Sequence, residues 1–385
     1  MMNIIVVGSG LAGATFCVAM QDQPVKITLL EKTLPDALTA SQDERPISLS
    51  FSTVIALKNL RVWENLRAYA CPIKTVFVSE QGVLGSLALK AAEFEWEALG
   101  YVVPFFQLHR ELYAVLARSD QVEIKTVHDI LAIDESDKTI RMTVQTMQGE
   151  QKIEAELLVA ADGVQSRCRD LLNINTKKTE RNDVAVVAIL EFDQPHQCNA
   201  FERFTHQGVF ALLPMWNPCQ YRLVWTTDKK NSVSLSDVNL SDTLEKIFSS
   251  QLGRLCKMTR LGQYSLQTTI AEQQITRNSV LLGDSAHHIY PLAAQGYNLT
   301  VRDVAALAEH YEDLPAYIKM RAQDQRFICC FTQSLETIFG IHIPLLNHLR
   351  ATGLFAMDLL PPLKKRFMRK LLGQSGRQPK LLCQE

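Results

Sequence analysis

The chain has no Cys-x-x-Cys pair, although nine cysteines are spread over its 385 residues. An odd, scattered set of thiols argues against a disulfide framework and fits a reducing compartment. No apolar run reaches the length needed to span a bilayer. The net charge is −1, so nothing in the overall balance points to nucleic acid. There is no internal repeat and no low-complexity block. His287 and His288 are adjacent, so they point in different directions, and no ligand set with zinc-like spacing accompanies them; no metal is expected. The apolar N-terminus lacks a positive leader, and its glycines occupy strand-to-helix positions, so it is expected to be structural rather than a signal peptide. What remains is a globular composition, 47% hydrophobic and 21% charged, long enough for two domains. It suits a cytoplasmic enzyme or one peripheral to the inner face of a membrane.

Residues 3–7, Asn-Ile-Ile-Val-Val, form an apolar β-branched run of the kind found in buried parallel strands. Gly8-Ser9-Gly10-Leu11-Ala12-Gly13 follows, opening an apolar stretch with helical character. Gly8 permits a tight turn, Gly10 lets a pyrophosphate approach the backbone, and Gly13 lets helix and strand pack closely. The free N–H groups and dipole of the helix start favour phosphate. A second strand over residues 25–30 ends at Glu31, the place for a carboxylate that accepts hydrogen bonds from a ribose. Strand, turn, helix and acid together point to dinucleotide binding.

Two later segments repeat the logic. The strand at residues 157–161 leads into Asp162-Gly163-Val164-Gln165-Ser166, with Arg169 beyond. Asp162 and Ser166 have two readings, as cofactor contacts or as helix caps that satisfy free N–H groups. The strand at residues 280–282 ends at Gly283-Asp284, where a carboxylate can hold a hydroxyl-bearing chain. Pro291, Gln295-Gly296 and Asn298 follow, and the helix they open can aim backbone donors at a bound ring.

Asp162, Gly163, Ser166 and Arg169, with the string from Gly283 to Asn298, resemble the group A flavoprotein monooxygenases of the para-hydroxybenzoate hydroxylase type. Within that group the closest likeness is to the ubiquinone-biosynthesis 2-polyprenylphenol and 2-polyprenyl-6-methoxyphenol hydroxylases. It is carried by Arg45-Pro46-Ile47-Ser48-Leu49-Ser50, Gly100-Tyr101-Val102-Val103, and Tyr297-Asn298-Leu299 with Val301-Arg302-Asp303-Val304. The likeness runs to about Arg326 and is weakest in the middle.

The resemblance implies FAD as cofactor, NADH or NADPH as transient reductant, dioxygen, and an aromatic substrate, here a polyprenylated phenol. By implication reduced nicotinamide reduces the flavin, and a flavin hydroperoxide hydroxylates the ring with no side-chain nucleophile. Pro291, Gln295 and Gly296 would position the flavin. The expected cofactor contacts are Gly8, Gly10, Leu11, Ala12, Gly13, Glu31, Lys32, Arg45, Gln107, Asp162, Gly163, Gly283, Asp284, Pro291, Gln295, Gly296, Tyr297 and Asn298, with His109 an alternative to Gln107. The family usually carries glycine where this chain has Ala294 and Thr300. A positive φ at Ala294 would strain the flavin loop. Other classes remain open. A flavin reductase or halogenase is one, although Trp63, Trp96, Trp216 and Trp225 are isolated and the halogenase Trp-x-Trp-x-Ile signature is absent. A weakly catalytic flavoprotein in a biosynthetic complex is another.

The resulting expectation is an α/β fold with a Rossmann-like FAD-binding domain of the GR2 type over residues 1–72, 100–176 and 276–330. A smaller α+β substrate domain on an antiparallel sheet takes residues 73–99 and 177–275, and C-terminal helices take 331–385. Residues 51–66 read as one helix, 153–160 as one strand, and 241–252 as an amphipathic helix capped by Ser241. At the C-terminus, Leu345, Leu346, Leu349, Phe355, Leu359 and Leu360 form an apolar helical pattern before Pro361-Pro362. Beyond it Leu363, Phe367 and Leu371 share a face with Met368 and Leu372, and Lys364, Lys365, Arg366, Arg369 and Lys370 supply charge. Such a helix rests on anionic lipid or a partner, or docks on the chain's own core with a solvated basic face.

Overall fold

The computed structural model of the chain describes residues 1–33, 45–83, 86–234, 237–340 and 344–384. Its centre is a five-stranded parallel sheet ordered Ser279–Leu281, Leu157–Ala160, Met2–Val7, Val25–Glu31, Val122–Thr126. Every strand pair in it is parallel. The central strand is buried on both faces, which is why it reads as a continuous apolar run. Ile4 and Val6 join the cluster under the first helix, Leu11–Ala19, together with Phe16, Ile27, Leu29 and Val159. Ile5 and Val7 face the other way, against Ile140, Met142 and Val144. Those three lie on the middle strand of an antiparallel layer, Asp129–Glu135, Ile140–Thr146 and Gly149–Ala155.

A second body is an eight-stranded sheet that includes Leu255–Ala271, Thr176–Phe192, Gln220–Asp228, Gly208–Pro214, Asn199–Thr205, Thr75–Glu80 and Ser86–Lys90 in that order. Helix Asp237–Leu252 covers one face through Leu240, Leu244, Ile247 and Phe248, which pack on Phe201, Phe210, Leu212 and Trp225. Because side chains alternate across a sheet, the opposite face carries a different row. Val78, Glu202, Ala211, Val224 and Val187 stand in register across five strands. The first four of these are only half-buried. The sheet therefore offers a partly uncovered apolar surface with one carboxylate in it.

Several boundaries differ from the sequence reading. The helix expected at 51–66 is two helices, Phe51–Asn59 and Trp63–Leu66, because Arg61 adopts a left-handed conformation with φ 57°. Ser50 caps the first by accepting from the Thr53 N–H. The expected strand at 153–160 is also two strands, in different layers, with the Glu156 N–H turned to the Asn3 carbonyl between them. Ser241 is not a cap, since its helix begins a turn earlier at Asp237. One helix, Leu314–Gly340, runs through position 330, where the sequence suggested a boundary.

The C-terminal stretch forms helix Pro361–Leu371, and it docks on the chain's own core. Met368, Leu371 and Leu372 are buried with Leu87, Leu89, Leu99, Ile289 and Leu299. Lys364, expected on a solvated face, is buried and pairs with Glu93 at 2.7 Å and Asp358 at 2.8 Å. Phe355, Leu359, Leu360 and Leu363 instead project at the corner between this helix and Pro344–Leu359, each exposed by half or more. The side chains of Leu345, Leu346 and Leu349 lie outside the described residues.

Candidate flavin site

The three glycine segments meet at the carboxyl ends of the parallel strands, where open α/β sheets bind ligands. Gly8 and Gly13 are fixed by packing. A Cβ on Gly8 would stand 2.4 Å from the Ala161 carbonyl oxygen, and one on Gly13 would stand 1.9 Å from that of Gly8. Gly10, Gly163 and Gly296, one from each segment, behave differently, since a Cβ on any of them would meet nothing within 4 Å. These glycines flank open space rather than protein. Gly10 also caps helix Leu11–Ala19 without a side-chain bond, leaving the first-turn N–H groups available to phosphate.

Around this opening the sequence-predicted residues divide. Glu31 accepts from the Ser9 N–H and hydroxyl, both at 2.6 Å, and from the Lys32 N–H at 2.7 Å, so it already braces the glycine loop. Lys32 is exposed, Leu11 is buried in the core, and Ala12 lies against Gly283, where a Cβ would come within 2.8 Å of its methyl. Asp162 accepts from the Ser166 hydroxyl at 2.6 Å and the Cys168 N–H at 3.0 Å, and Ser166 accepts from the Arg169 N–H. Both side chains therefore serve as caps for helix Arg167–Leu171. Buried Arg169 donates to the carbonyls of Val164 and Ser285, tying the second segment to the third.

In the third segment Asp284 is exposed and meets His288 at 3.2 Å, so its carboxylate is accessible. Its hydrogen bond raises the His288 pKa. Ala293 and Ala294 both adopt left-handed backbone, with φ of 54° and 49°. The concern raised by alanine at 294 is thus met at two consecutive residues. Pro291 is exposed at the head of this turn. Gln295 donates to the Ala293 carbonyl and accepts from Arg302. The Asn298 amide accepts from the Ser50 N–H and Thr53 hydroxyl and donates to the carbonyls of Ser48 and Ala294. Its side chain is therefore committed to holding the loop, and Tyr297 points away to Thr15. Residues 296–298 can offer only their first-turn backbone N–H groups to a ligand. Thr300 is accommodated by donating to the Gly296 carbonyl.

Below the loop lies a buried charge network. His287 meets Asp303 at 2.5 Å, and Asp303 also accepts from Arg321 and Gln325. Burial works to raise the Asp303 carboxyl, but Arg321 and His287 outweigh it and hold it at about 2. His287 thus has a buried carboxylate partner. Arg302 continues the network to Asp324. At the rim, the Arg45 guanidinium stacks on Phe105 and Tyr264 at 5.1 and 5.4 Å. His109 reaches the Ser9 carbonyl at 2.9 Å, and buried Gln107 has no partner for Oε1.

Glu202 escaped the sequence reading. It is the acid in the half-covered row of the eight-stranded sheet, reachable by water yet crowded by protein on all sides. Burial pushes its carboxyl up to about 7, opposed by the N–H of Ala293 in the flavin loop. A lone glutamate in Ala200-Phe201-Glu202-Arg203-Phe204 was the available signal, and the approach of Ala293, distant in sequence, was needed to bring it to the flavin loop.

The residues fit a dinucleotide: three open glycines, two uncapped helix starts, an accessible carboxylate and an orphaned buried amide oxygen converge there. The chain matches the family described as FAD binding domain over residues 1–326, and it belongs to that family. Among curated relatives, ubiquinone hydroxylase UbiL of Rhodospirillum rubrum is 27% identical over 389 residues, covering 96% of this chain and 89% of that protein. The 3-demethoxyubiquinol 3-hydroxylase of Escherichia coli is 25% identical, covering 96% and 98%. Among solved structures, p-nitrophenol 4-monooxygenase PnpA of Pseudomonas putida superposes with a TM-score of 0.72 at 16% identity, covering 98% of this chain and all of that one. The Diels-Alderase PyrE3 superposes at 0.74 with 18% identity, covering 98% and 82%. The last two establish the fold alone, and one fold spanning such different chemistry leaves function to the site.

Proposed function

We propose that this chain is an FAD-dependent, NAD(P)H-using monooxygenase that hydroxylates the aromatic ring of a ubiquinone precursor, a polyprenylated phenol. The observation carrying the reading is the convergence of three open glycines on one cleft beside the half-covered sheet face. The names of the relatives above agree with it. FAD held there would supply acceptance of hydride from reduced nicotinamide and transfer of one oxygen atom of dioxygen to the ring, the other leaving as water. Gly8, Gly10, Leu11, Ala12 and Gly13 would cradle the pyrophosphate by backbone, with Asp162 and Gly163 beside it. Glu31 and Lys32 would meet the adenosine ribose, Asp284 the ribityl chain after Gly283, and Arg45 and Gln107 the rim. Pro291, Gln295, Gly296, Tyr297 and Asn298 would set the pyrimidine edge through backbone N–H groups.

The substrate would lie against Val78, Ala211 and Val224, which exclude water from its ring. Glu202 would take the phenolic proton, making the ring electron-rich where oxygen is transferred. The division into 1–72, 100–176 and 276–330 for cofactor, 73–99 and 177–275 for substrate, and 331–385 for C-terminal helices is part of the same proposal. So is peripheral membrane contact. Phe355, Leu359, Leu360 and Leu363 would enter the lipid interface, flanked by Lys365 and Arg366, which suits a substrate dissolved in the bilayer. Among the described residues no helix is long and apolar enough to cross a membrane.

The test is to measure flavin content, nicotinamide oxidation with and without a short-chain prenyl phenol, and the product's mass. Yellow protein that adds one oxygen atom to the phenol, with oxidation stimulated by it, is the expected result. FMN binding in place of FAD refutes the cofactor assignment. Substrate-independent oxidation without an oxygenated product favours the reductase or assembly reading, for which the Ala293–Ala294 turn is the motivating observation.

A further inference from the structure

The fold gathers Cys71, His196 and Cys198, far apart in sequence, so that their two sulfurs and one imidazole nitrogen lie within 4.8 Å of one another. Cys71 and His196 are buried, and Cys198 is half-buried at the wall of a cavity of about 390 Å³ lined also by Ala68, Pro195, Trp216 and Pro218. No part of the flavin cleft described above contributes to it.

The hydrogen bonds around His196 decide what this cluster can do. The Cys198 N–H donates to Nδ1 at 3.0 Å, so Nδ1 carries the lone pair. The Met215 carbonyl, 2.8 Å from Nε2, can only accept, so Nε2 carries the proton. The ring is thus neutral, with its second nitrogen donating to a backbone carbonyl, which is the outer-shell bond that orients metal-bound histidines. Its edge contact with Tyr221 at 5.6 Å fixes the plane further. Coordination through Nδ1 gives up only the bond from Cys198, whose N–H can turn to a thiolate.

The geometry points to a binding site for a thiophilic cation of the zinc class, held by Cys71 Sγ, Cys198 Sγ and His196 Nδ1. Ligand atoms around tetrahedral zinc stand about 3.5–3.8 Å apart, given bonds of about 2.0–2.3 Å. The two sulfurs and one nitrogen of the ring lie within 4.8 Å of one another, about 1 Å wider than that spacing, and side-chain rotation that turns Nδ1 toward Cys71 closes the remainder. Two sulfurs and one nitrogen select soft or borderline ions over magnesium or calcium. The fourth position faces the cavity and takes water or an exogenous ligand. Cys71 belongs to strand Cys71–Ile73, paired to Gly100–Pro104, and Cys198 precedes strand Asn199–Thr205, which carries Glu202. A bound ion would therefore tie strand Cys71–Ile73 to the start of strand Asn199–Thr205. The expectation of no metal rested on spacing along the chain, which does not reveal residues that only the fold gathers.

The experiment uses the full-length, FAD-loaded protein, thiol-reduced and stripped with a chelator. Titration with Co²⁺ should give intense tetrahedral ligand-field bands in the red, where oxidised flavin does not absorb, saturating at one equivalent and bleached by Zn²⁺. Cys71→Ser and Cys198→Ser should each abolish these bands while flavin content stays unchanged, and Cys256→Ser should leave them intact. Weak octahedral bands from the wild-type protein overturn the proposal, whatever the variants do. So does a tetrahedral spectrum that survives in Cys198→Ser. If the reduced wild-type protein is silent to Co²⁺ and oxidation joins Cys71 to Cys198, the pair is a disulfide and the metal site is refuted.

Discussion

Replacing Ala294 by glycine tests whether the flavin loop stores backbone strain. Ala294 has φ 49° and follows Ala293 at 54°. An alanine in left-handed backbone is unfavourable by about 1–2 kcal/mol relative to the right-handed form, and glycine carries no such penalty. Glycine, however, gives the unfolded chain more freedom, which costs about 0.5–1 kcal/mol. The difference leaves Ala294→Gly more stable by about 0.5–1 kcal/mol, a rise of roughly 2 °C or less in Tm for a chain of this size. The Ala294 carbonyl keeps its bond from Asn298, so the loop stays anchored. Flavin affinity should be unchanged and turnover equal or faster. Chemical unfolding, flavin titration and single-turnover reduction together measure this. A variant less stable by more than about 1 kcal/mol, or one that loses flavin, would show that the Ala294 methyl is held by favourable contacts and that the strain argument is wrong.

Glu202→Gln should abolish the limb of the turnover–pH profile that rises through about 7. Because the folded carboxyl is raised above its ordinary 4.5, wild-type stability declines as pH rises from 4.5 to about 7, and the glutamine variant should lose that decline in calorimetry; an identical decline in both refutes the assignment. Asp303→Asn takes from buried Arg321 one of its two carboxylate partners, leaving Asp324, and takes the carboxylate from His287; it should cost about 3 kcal/mol at neutral pH by denaturant titration. The low pKa of Asp303 means its contribution is present above 3.8 and lost as pH falls toward 2, so the variant and wild type should converge in acid. Arg169→Met strands two carbonyls, and a loss of about 2–3 kcal/mol with weaker FAD binding is expected; unchanged FAD affinity would separate the strap from the site. Neutralising Lys365, Arg366 and Arg369 should reduce co-sedimentation with anionic vesicles while melting stays constant, whereas Lys364→Met should destabilise the fold through its lost ion pairs. Unchanged sedimentation of the triple variant rules out the lipid-facing corner.

What could be read from the sequence was local. The run 3–7, its glycines and Glu31 lie within one βαβ unit, so spacing alone carries their geometry. The same holds for Asp162 to Arg169 and for Gly283 to Asn298. Side-chain roles were less legible than backbone placement. Asn298 and Tyr297 sit in the expected loop, but their polar atoms are turned to Ser50, Thr53 and Thr15, on elements whose arrival the loop cannot announce. Ser241 is a good capping residue that falls inside a helix because the periodic pattern begins before it.

Lys364 exposes a different limit. Counting back from Met368 and Leu371 by four and seven places it on the buried face of the helix, so its position was legible. Its tolerance was not, because that depends on Glu93 and Asp358 arriving from elsewhere to accept its protons. A charged residue on an apolar face implies such partners, since an unpaired ammonium there would lose its charge or the helix would undock. Glu202 obeys the same rule with the opposite outcome. It too interrupts an apolar face, but no cation pairs with it through any bond described above, and its pKa rises instead. Lys364, whose charge finds partners, is therefore a structural joint, whereas the raised pKa of half-buried Glu202 is what motivates the proton-acceptor role proposed for it.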